Sequence, residues 1–113
     1  MRTVTLSVDS RELLSARFVA AMKGQPQGAY ITFASTELLF RTLTLQRWNI
    51  LQLMTGAKPL ALDQLTMRTG RDRQAVHHDV QVLLDVGVLE SHPDGTIEFP
   101  YDAVHVDFML LAS

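Results

Sequence analysis

A chain of 113 residues has the length of one domain and can bury a modest core. It contains no cysteine, which excludes disulfides and thiolate metal sites, and it carries a formal net charge of −2. No apolar run approaches the roughly 20 residues that a membrane-spanning helix needs, and the polar N-terminus lacks a signal-peptide core. We therefore expect one cytoplasmic domain, 1–113, without membrane contact.

Residues 1–34 are predicted to form a strand-helix-strand extension. Apolar side chains alternate with hydroxyl-bearing ones from Arg2 to Val8, which is typical of a half-buried strand. Asp9 then begins a helix, with Glu12 placed for a capping box and an apolar stripe that continues to Met22. A loop follows, and residues 30–33 form a second short strand.

Two helices are predicted next, over residues 36–42 and 45–54. Ser35 and Thr44 precede them and are residue types that cap helix N-termini. Lys58 and Pro59 then break the chain before the following motif.

Residues 65–89 have the spacing of a helix-turn-helix. Gly70 suits the tight turn, because glycine takes positive φ at little steric cost. The second helix has one apolar stripe at helical spacing, made of Val76, Val80, Leu83 and Gly87. Its other side presents side chains that can hydrogen-bond bases or phosphates: Arg73, Gln74, His77, His78 and Gln81.

A hairpin is predicted after this helix pair. Asp94-Gly95 separates two short runs that contain apolar residues, which is a strong hairpin signal. Helix, turn, helix and hairpin follow each other in the winged-helix order. The sequence therefore predicts an α+β fold, with a winged helix-turn-helix core at 35–99 and a strand-like tail at 100–113.

The chain resembles small winged-helix DNA-binding regulators of bacteria and archaea. The residues that carry the resemblance are Gly70-Arg71-Asp72, Ala75-Val76-His77, Asp79-Val80, Leu83, Gly87 to Glu90, Asp94-Gly95 and Phe99 to Phe108, together with Ile31 to Ser35 and Leu43 to Trp48. The last of the C-terminal segments, FPYD…HVDF, is the most specific, because generic winged helices lack it.

The resemblance implies a fold similar to that of marR- and arsR-like repressors, and the TumA-type antitoxins are the nearest match. One position departs from the pattern. Thr66 stands where such motifs usually have alanine, and its hydroxyl needs a partner if it packs against the second helix.

The charge balance does not favour DNA binding by itself. DNA-binding domains are usually basic, whereas residues 56–90 hold four basic and five acidic side chains. The basic residues nevertheless cluster at the turn. We expect Lys58, Arg68 and Arg71 to contact phosphates, and Arg73, Gln74, His77 and Gln81 to face the major groove. His78 lies at the margin of the groove, and His92 to Gly95 form the wing tip.

Neither an enzyme nor a metal site is predicted. The chain has no glycine-rich phosphate loop and no nucleophile motif, so no catalytic residues and no cofactors are assigned. His77 and His78 are adjacent on a helix and point in different directions. His105 and Asp107 share a strand face but lack a third ligand nearby in sequence.

The terminal segments are predicted to form a homodimer interface, because they carry more apolar surface than tails need and repressors read palindromic sites as dimers. The alternative is that they cover the domain's own core. The sequence thus predicts a transcriptional regulator that binds double-stranded operator DNA, represses its own promoter, and serves as the antitoxin of a cognate small toxin protein or stands alone. The competing function is a protein-interaction module that neutralises a toxin, with weak or no DNA binding.

Overall fold

The computed structural model describes residues 2–8 and 29–107. In that part of the chain four helices and two three-stranded sheets form an α+β fold, which confirms the predicted class. The elements are β1 Thr3–Val8, β2 Ala29–Phe33, α1 Thr36–Thr42, α2 Leu45–Met54, β3 Leu60–Ala61, α3 Leu62–Thr69, α4 Arg73–Asp85, β4 Glu90–Ser91, β5 Thr96–Glu98 and β6 Ala103–Asp107. The helix predicted from Asp9 to Met22 lies outside the described residues, as does the tail after Asp107.

The first sheet brings the two ends of the chain together. Its order is β2-β1-β6, and β1 pairs in parallel with both neighbours, with Leu6 opposite Ile31 on one side and Val106 on the other. Val4 and Leu6 are 0% and 1% exposed and belong to the core. The apolar face of β1 therefore packs inside its own chain and not at the expected subunit interface. This agrees with the alternative that the N-terminal segment covers the domain's own core.

Helices α1 and α2 have the bounds that the sequence predicts. Ser35 Oγ accepts the Leu38 N–H at 3.2 Å, and Thr44 Oγ1 accepts the Arg47 N–H at 3.3 Å. Both caps are thus confirmed, since each hydroxyl satisfies a backbone donor that the helix leaves unpaired.

Helices α3 and α4 form the predicted pair around Gly70, which has a φ of 67° at the end of α3. Asp72 caps α4 by accepting the N–H groups of Gln74 and Ala75. The apolar stripe is confirmed at Val76, Val80 and Leu83, all at most 1% exposed.

Two details of the helix pair go beyond the predicted pattern. Gly87 does not extend the apolar stripe, because α4 ends at Asp85 and Gly87 takes a φ of 90° in the turn that follows. The Thr66 hydroxyl donates to the Leu62 carbonyl at 3.0 Å. This hydrogen bond lies within α3, so the hydroxyl has its partner and needs none on the second helix.

The predicted hairpin is present and belongs to a second sheet. Its order is β3-β5-β4, with antiparallel pairing throughout. Gly95 takes a φ of 86° in the turn, and Ile97 and Phe99 join the core. Among residues 29–107, no helix is long and apolar enough to cross a membrane.

Candidate nucleic-acid interface

One side of α4 is polar and faces solvent. Because Val76, Val80 and Leu83 point into the core, the positions on the opposite side of the helix point outward. All five side chains predicted on this side are exposed, and we call them the α4 face: Arg73, Gln74, His77, His78 and Gln81. The structure therefore gathers on one helix surface the residues that the sequence predicts in the major groove, together with His78, predicted at its margin.

Two side chains of the α4 face donate hydrogen bonds to carboxylates. Arg73 Nε donates to Asp63 Oδ1 at 2.9 Å, with the two side chains 66% and 76% exposed. Gln81 Nε2 donates to Asp85 Oδ1, also at 2.9 Å. Exposed pairs of this kind contribute about 1 kcal/mol or less, so a ligand can displace them at little cost.

Arg71, which the sequence predicts to contact phosphate, is bound to side chains of its own chain. Its side chain is 25% exposed, and Nη2 donates to Asp79 Oδ2 at 2.7 Å and to Gln46 Oε1 at 3.1 Å. Nη1 is buried without a hydrogen-bond partner among the described residues. The Nη2 group of this guanidinium therefore binds side chains of the same chain.

Asp79 is held by a second arginine that sequence reasoning missed. Arg47 Nε donates to Asp79 Oδ1 at 2.9 Å, and Arg47 Nη1 donates to the carbonyls of Arg41 and Thr42 at 2.9 and 3.1 Å. We call Arg47, Arg71 and Asp79 the buried ion cluster. It joins α2, the turn before α4, and α4 itself, and so fixes the direction in which the α4 face points.

A signal for this cluster was present in the sequence. Asp79 follows Val76 by three residues and precedes Val80, which places it on the apolar stripe of the helix. A carboxylate on a buried stripe needs cations or several donors to offset its desolvation. That requirement points to arginines elsewhere in the chain, although it does not say which ones.

A groove of about 300 Å³ lies beside the cluster, between α2 and the end of α3. Arg68 and Arg71 contribute charge to it, and the rest of the lining is mostly uncharged polar side chains: Gln46, Asn49, Gln52, Leu53 and Thr69. Lys58 is exposed in the connection between α2 and β3 and does not line the groove.

The hairpin turn is acidic as well as tight. His92 Nε2 lies 3.3 Å from Glu98 Oε1 without hydrogen-bond geometry, so this imidazole faces its own hairpin. Thr96 donates two hydrogen bonds to the Asp94 carboxylate, one from its hydroxyl and one from its backbone N–H. The hydroxyl bond first, and the N–H bond second, hold the pKa of that carboxyl below its ordinary value. The Asp94 carboxylate beside Gly95 would repel a phosphate at this turn, the predicted wing tip.

The histidines do not converge. His77 and His78 are exposed on α4, and His105 is exposed on β6 opposite Thr5. Within residues 2–8 and 29–107, no group of three or more His, Asp or Glu is placed to hold a metal ion.

The fold and this surface define a small α+β protein that presents a polar helix face beside a cationic groove. The sequence profile of the HVO_A0114 family matches residues 42–106, which is more than half of the chain. The chain belongs to this family. The matched segment runs from the end of α1 into β6 and includes the buried ion cluster, the α4 face and the hairpin. No curated protein matches the chain.

Proposed function

We propose that this protein is a sequence-specific DNA-binding transcriptional regulator built on a winged helix-turn-helix. The element order α2-β3-α3-α4-β4-β5 supports this proposal, because helix, strand, two helices and a hairpin follow each other in a winged helix. The pairing of β3 with β5 also supports it, since it attaches the hairpin to the helix pair. In this arrangement α4 is the helix that enters the major groove.

The observation that carries the proposal is the composition of the α4 face. All five of its side chains are exposed and able to form hydrogen bonds. On the buried side of the same helix, Asp79 forms ion pairs with Arg47 and Arg71 that hold the helix in position. An α-helix fits the major groove of B-DNA, where arginine recognises guanine and glutamine recognises adenine through paired hydrogen bonds. Arg73 and Gln74, in the first turn of α4, are placed for such contacts.

The distribution of charge supports a division of roles. Arg73, Gln74, His77 and Gln81 contact base edges, with His78 at the edge of the groove, while Arg68 and Lys58 contact phosphates. Only a few cations take part, and the chain has a net charge of −2, so the affinity of one subunit is modest. A homodimer on a two-fold operator compensates for this weakness. In keeping with the resemblance, the regulator represses its own promoter and acts as the antitoxin of a neighbouring small toxin.

The competing function is a protein-interaction module with weak or no DNA binding. The acidic net charge favours it, and so do exposed apolar side chains, among them Leu38 at 43%, Leu45 at 75% and Met67 at 83% exposure. Apolar side chains at the surface are what a protein partner contacts. The α4 face holds none of these three residues, so a partner that contacts only them leaves the α4 face free.

Fluorescence anisotropy with a labelled duplex from the protein's own promoter tests the proposal. The wild type should bind this duplex more tightly than an unrelated duplex of equal length. The double variant Gln74→Ala with His77→Ala should lose at least about fivefold in affinity for the promoter duplex, the lower limit for one lost base contact. His105→Ala, a matched change at an exposed histidine on β6, should bind as the wild type does.

Two results would count against DNA recognition by α4. One is the absence of any duplex binding by the wild type at about 50 mM salt, where phosphate contacts are strong. The other is unchanged promoter affinity in the double variant. If a protein co-purifies with the chain and the double variant releases it while remaining folded, then the α4 face is a protein-binding surface and the competing function is correct.

A further inference from the structure

The groove between α2 and the end of α3 is positively charged. Of its lining residues Arg68 and Arg71 are cationic, and none of its lining residues is acidic. Arg68 has no ion pair within residues 2–8 and 29–107. The groove is therefore a concave surface with an uncompensated charge.

Asp79 does not cancel the charge of the groove, because Arg47 and Arg71 share this one carboxylate. Arg47 and Arg71 are 12% and 25% exposed, and together they face the single carboxylate of Asp79, which is 7% exposed. Two guanidinium groups against one carboxylate leave one positive charge in excess at a partly buried site, where charges are screened less than in bulk water. A bound anion beside Arg71 would offset that excess.

The amide side chains of the groove are available as donors. Gln46 Oε1 already accepts from Arg71 Nη2 at 3.1 Å, so the acceptor end of this amide is engaged and its NH₂ group remains for another partner. Asn49 and Gln52 are exposed along the same side of α2, one helical turn and nearly two turns from Gln46. Arginine together with amide N–H donors suits the oxygens of a phosphate.

The position of the groove relative to α4 indicates where that phosphate comes from. Thr69 and Arg71 flank Gly70, and Arg73 and Gln74 of the α4 face begin two residues after Arg71. A duplex whose major groove receives the start of α4 passes its backbone beside this turn. Resting on the function proposed above, we propose that the groove binds a backbone phosphate of that duplex, with Arg68 as the charged contact and the amides of Gln46 and Asn49 as donors.

The salt dependence of duplex binding tests this proposal. The variant is Arg68→Gln, and the matched control is Arg41→Gln, which removes the same charge from an exposed arginine on α1 that does not line the groove. A lost phosphate contact lowers the slope of log affinity against log salt by about one unit and weakens specific and unrelated duplexes equally. We expect this result for Arg68→Gln and an unchanged slope for Arg41→Gln.

A second pair of variants probes the groove without removing a cation. Asn49→Asp introduces a carboxylate at the expected phosphate position, whereas Asn49→Ala removes the amide alone. Because like charges a few ångströms apart repel even at a partly screened surface, Asn49→Asp should bind duplex about tenfold more weakly than Asn49→Ala. Equal affinities for these two variants, or equal slopes for Arg68→Gln and Arg41→Gln, would overturn the proposal while leaving recognition by α4 intact.

A titration with inorganic pyrophosphate distinguishes two ligands of the groove, a backbone phosphate of DNA and a free anionic compound. Its titration is followed by the NMR signals of the Gln46, Asn49 and Gln52 side-chain amides. If the wild type binds no duplex, yet these signals shift saturably and Arg68→Gln abolishes the shift, the groove serves a free phosphate compound and the backbone assignment is wrong. A smaller slope of log duplex affinity against log salt in Arg68→Gln than in Arg41→Gln supports the assignment to a backbone phosphate, whether or not pyrophosphate binds.

Discussion

Arg47 and Asp79 connect α2 to α4 through a largely buried ion pair. Arg47 Nε donates to Asp79 Oδ1 at 2.9 Å, and the side chains are 12% and 7% exposed. Because Arg47 Nη1 also donates to carbonyls at the end of α1, one side chain fixes the positions of three helices. The orientation of the α4 face therefore depends on residues that are not part of it.

Removal of Asp79 should destabilise the protein strongly. Asp79→Ala leaves Arg47 and Arg71 without their carboxylate in a buried setting, and breaking such a cluster costs about 3–5 kcal/mol. Asp63→Ala is the matched control, because it removes an aspartate from an exposed pair worth about 1 kcal/mol or less. Urea unfolding followed by circular dichroism measures both free energies of unfolding. Similar values for the two variants would show that the cluster does not hold the helices together.

The Arg73–Asp63 pair should oppose DNA binding. If Arg73 contacts DNA as proposed, Asp63 would compete with the duplex for its guanidinium and would also repel phosphates. Asp63→Asn should therefore tighten promoter binding, whereas Arg73→Ala should weaken it by about 1–3 kcal/mol if Arg73 contacts a base through two hydrogen bonds. Anisotropy titrations of both variants against the promoter duplex provide the measurement. Weaker binding by folded Asp63→Asn would mean that Asp63 orients Arg73 for its contact.

The features that the sequence predicts well are those with local causes. The bounds of α1 and α2 follow from the caps Ser35 and Thr44, and the solvent face of α4 follows from the periodicity of its apolar residues. The hairpin turn follows from Asp94-Gly95. In each case the determining residues are within one or two helical turns or one strand of each other.

The features that the sequence does not predict are set by contacts between distant segments. β3 has two residues, too few for any alternation, and exists through its pairing with β5. β1 pairs with β6 across about a hundred positions, which changes the expected interface strand into a core strand. Arg47 and Asp79 are 32 positions apart, so the role of Arg47 requires the packed arrangement of α2 against α4.

The apolar face of β1 makes a clear prediction about stability. Leu6 is 1% exposed in the core of its own chain, so Leu6→Asp buries an unpaired charge and should unfold the protein. Leu38→Asp changes a leucine on α1 that is 43% exposed, and it should lower the melting temperature far less than Leu6→Asp and leave the chain folded.

Light scattering on the same two variants also bears on the homodimer. If the exposed apolar side chains of α1 form the subunit contact, folded Leu38→Asp should be monomeric where the wild type is dimeric. A wild type that is monomeric at tens of micromolar would exclude the homodimer. A folded, dissociated Leu6→Asp would contradict the core position of β1 and would place that strand at the interface.

The hairpin turn should show a titration that depends on Thr96. The pKa of Asp94 is lowered because the hydroxyl and the backbone N–H of Thr96 donate to its carboxylate. A lowered pKa in the folded state means that this contact stabilises the turn at neutral pH and that the stabilisation is lost as pH falls through the folded-state value. Thr96→Val removes the hydroxyl, so NMR titration of the Asp94 carboxyl should show its pKa rising toward the ordinary value. Identical titrations would show that the hydroxyl does not contact the carboxylate in solution.

Selection from a random duplex pool tests most directly whether the α4 face reads base sequence. The protein is incubated with the pool at about 50 mM salt, and the bound duplexes are sequenced after several rounds. We expect the wild type to enrich one motif, present as two inverted half-sites about one helical turn apart if the protein binds as a dimer. Gln74→Ala with His77→Ala should relax that motif at defined positions, while His105→Ala should reproduce it. Enrichment of no motif by the wild type, or of the same motif by the double variant, would contradict the account.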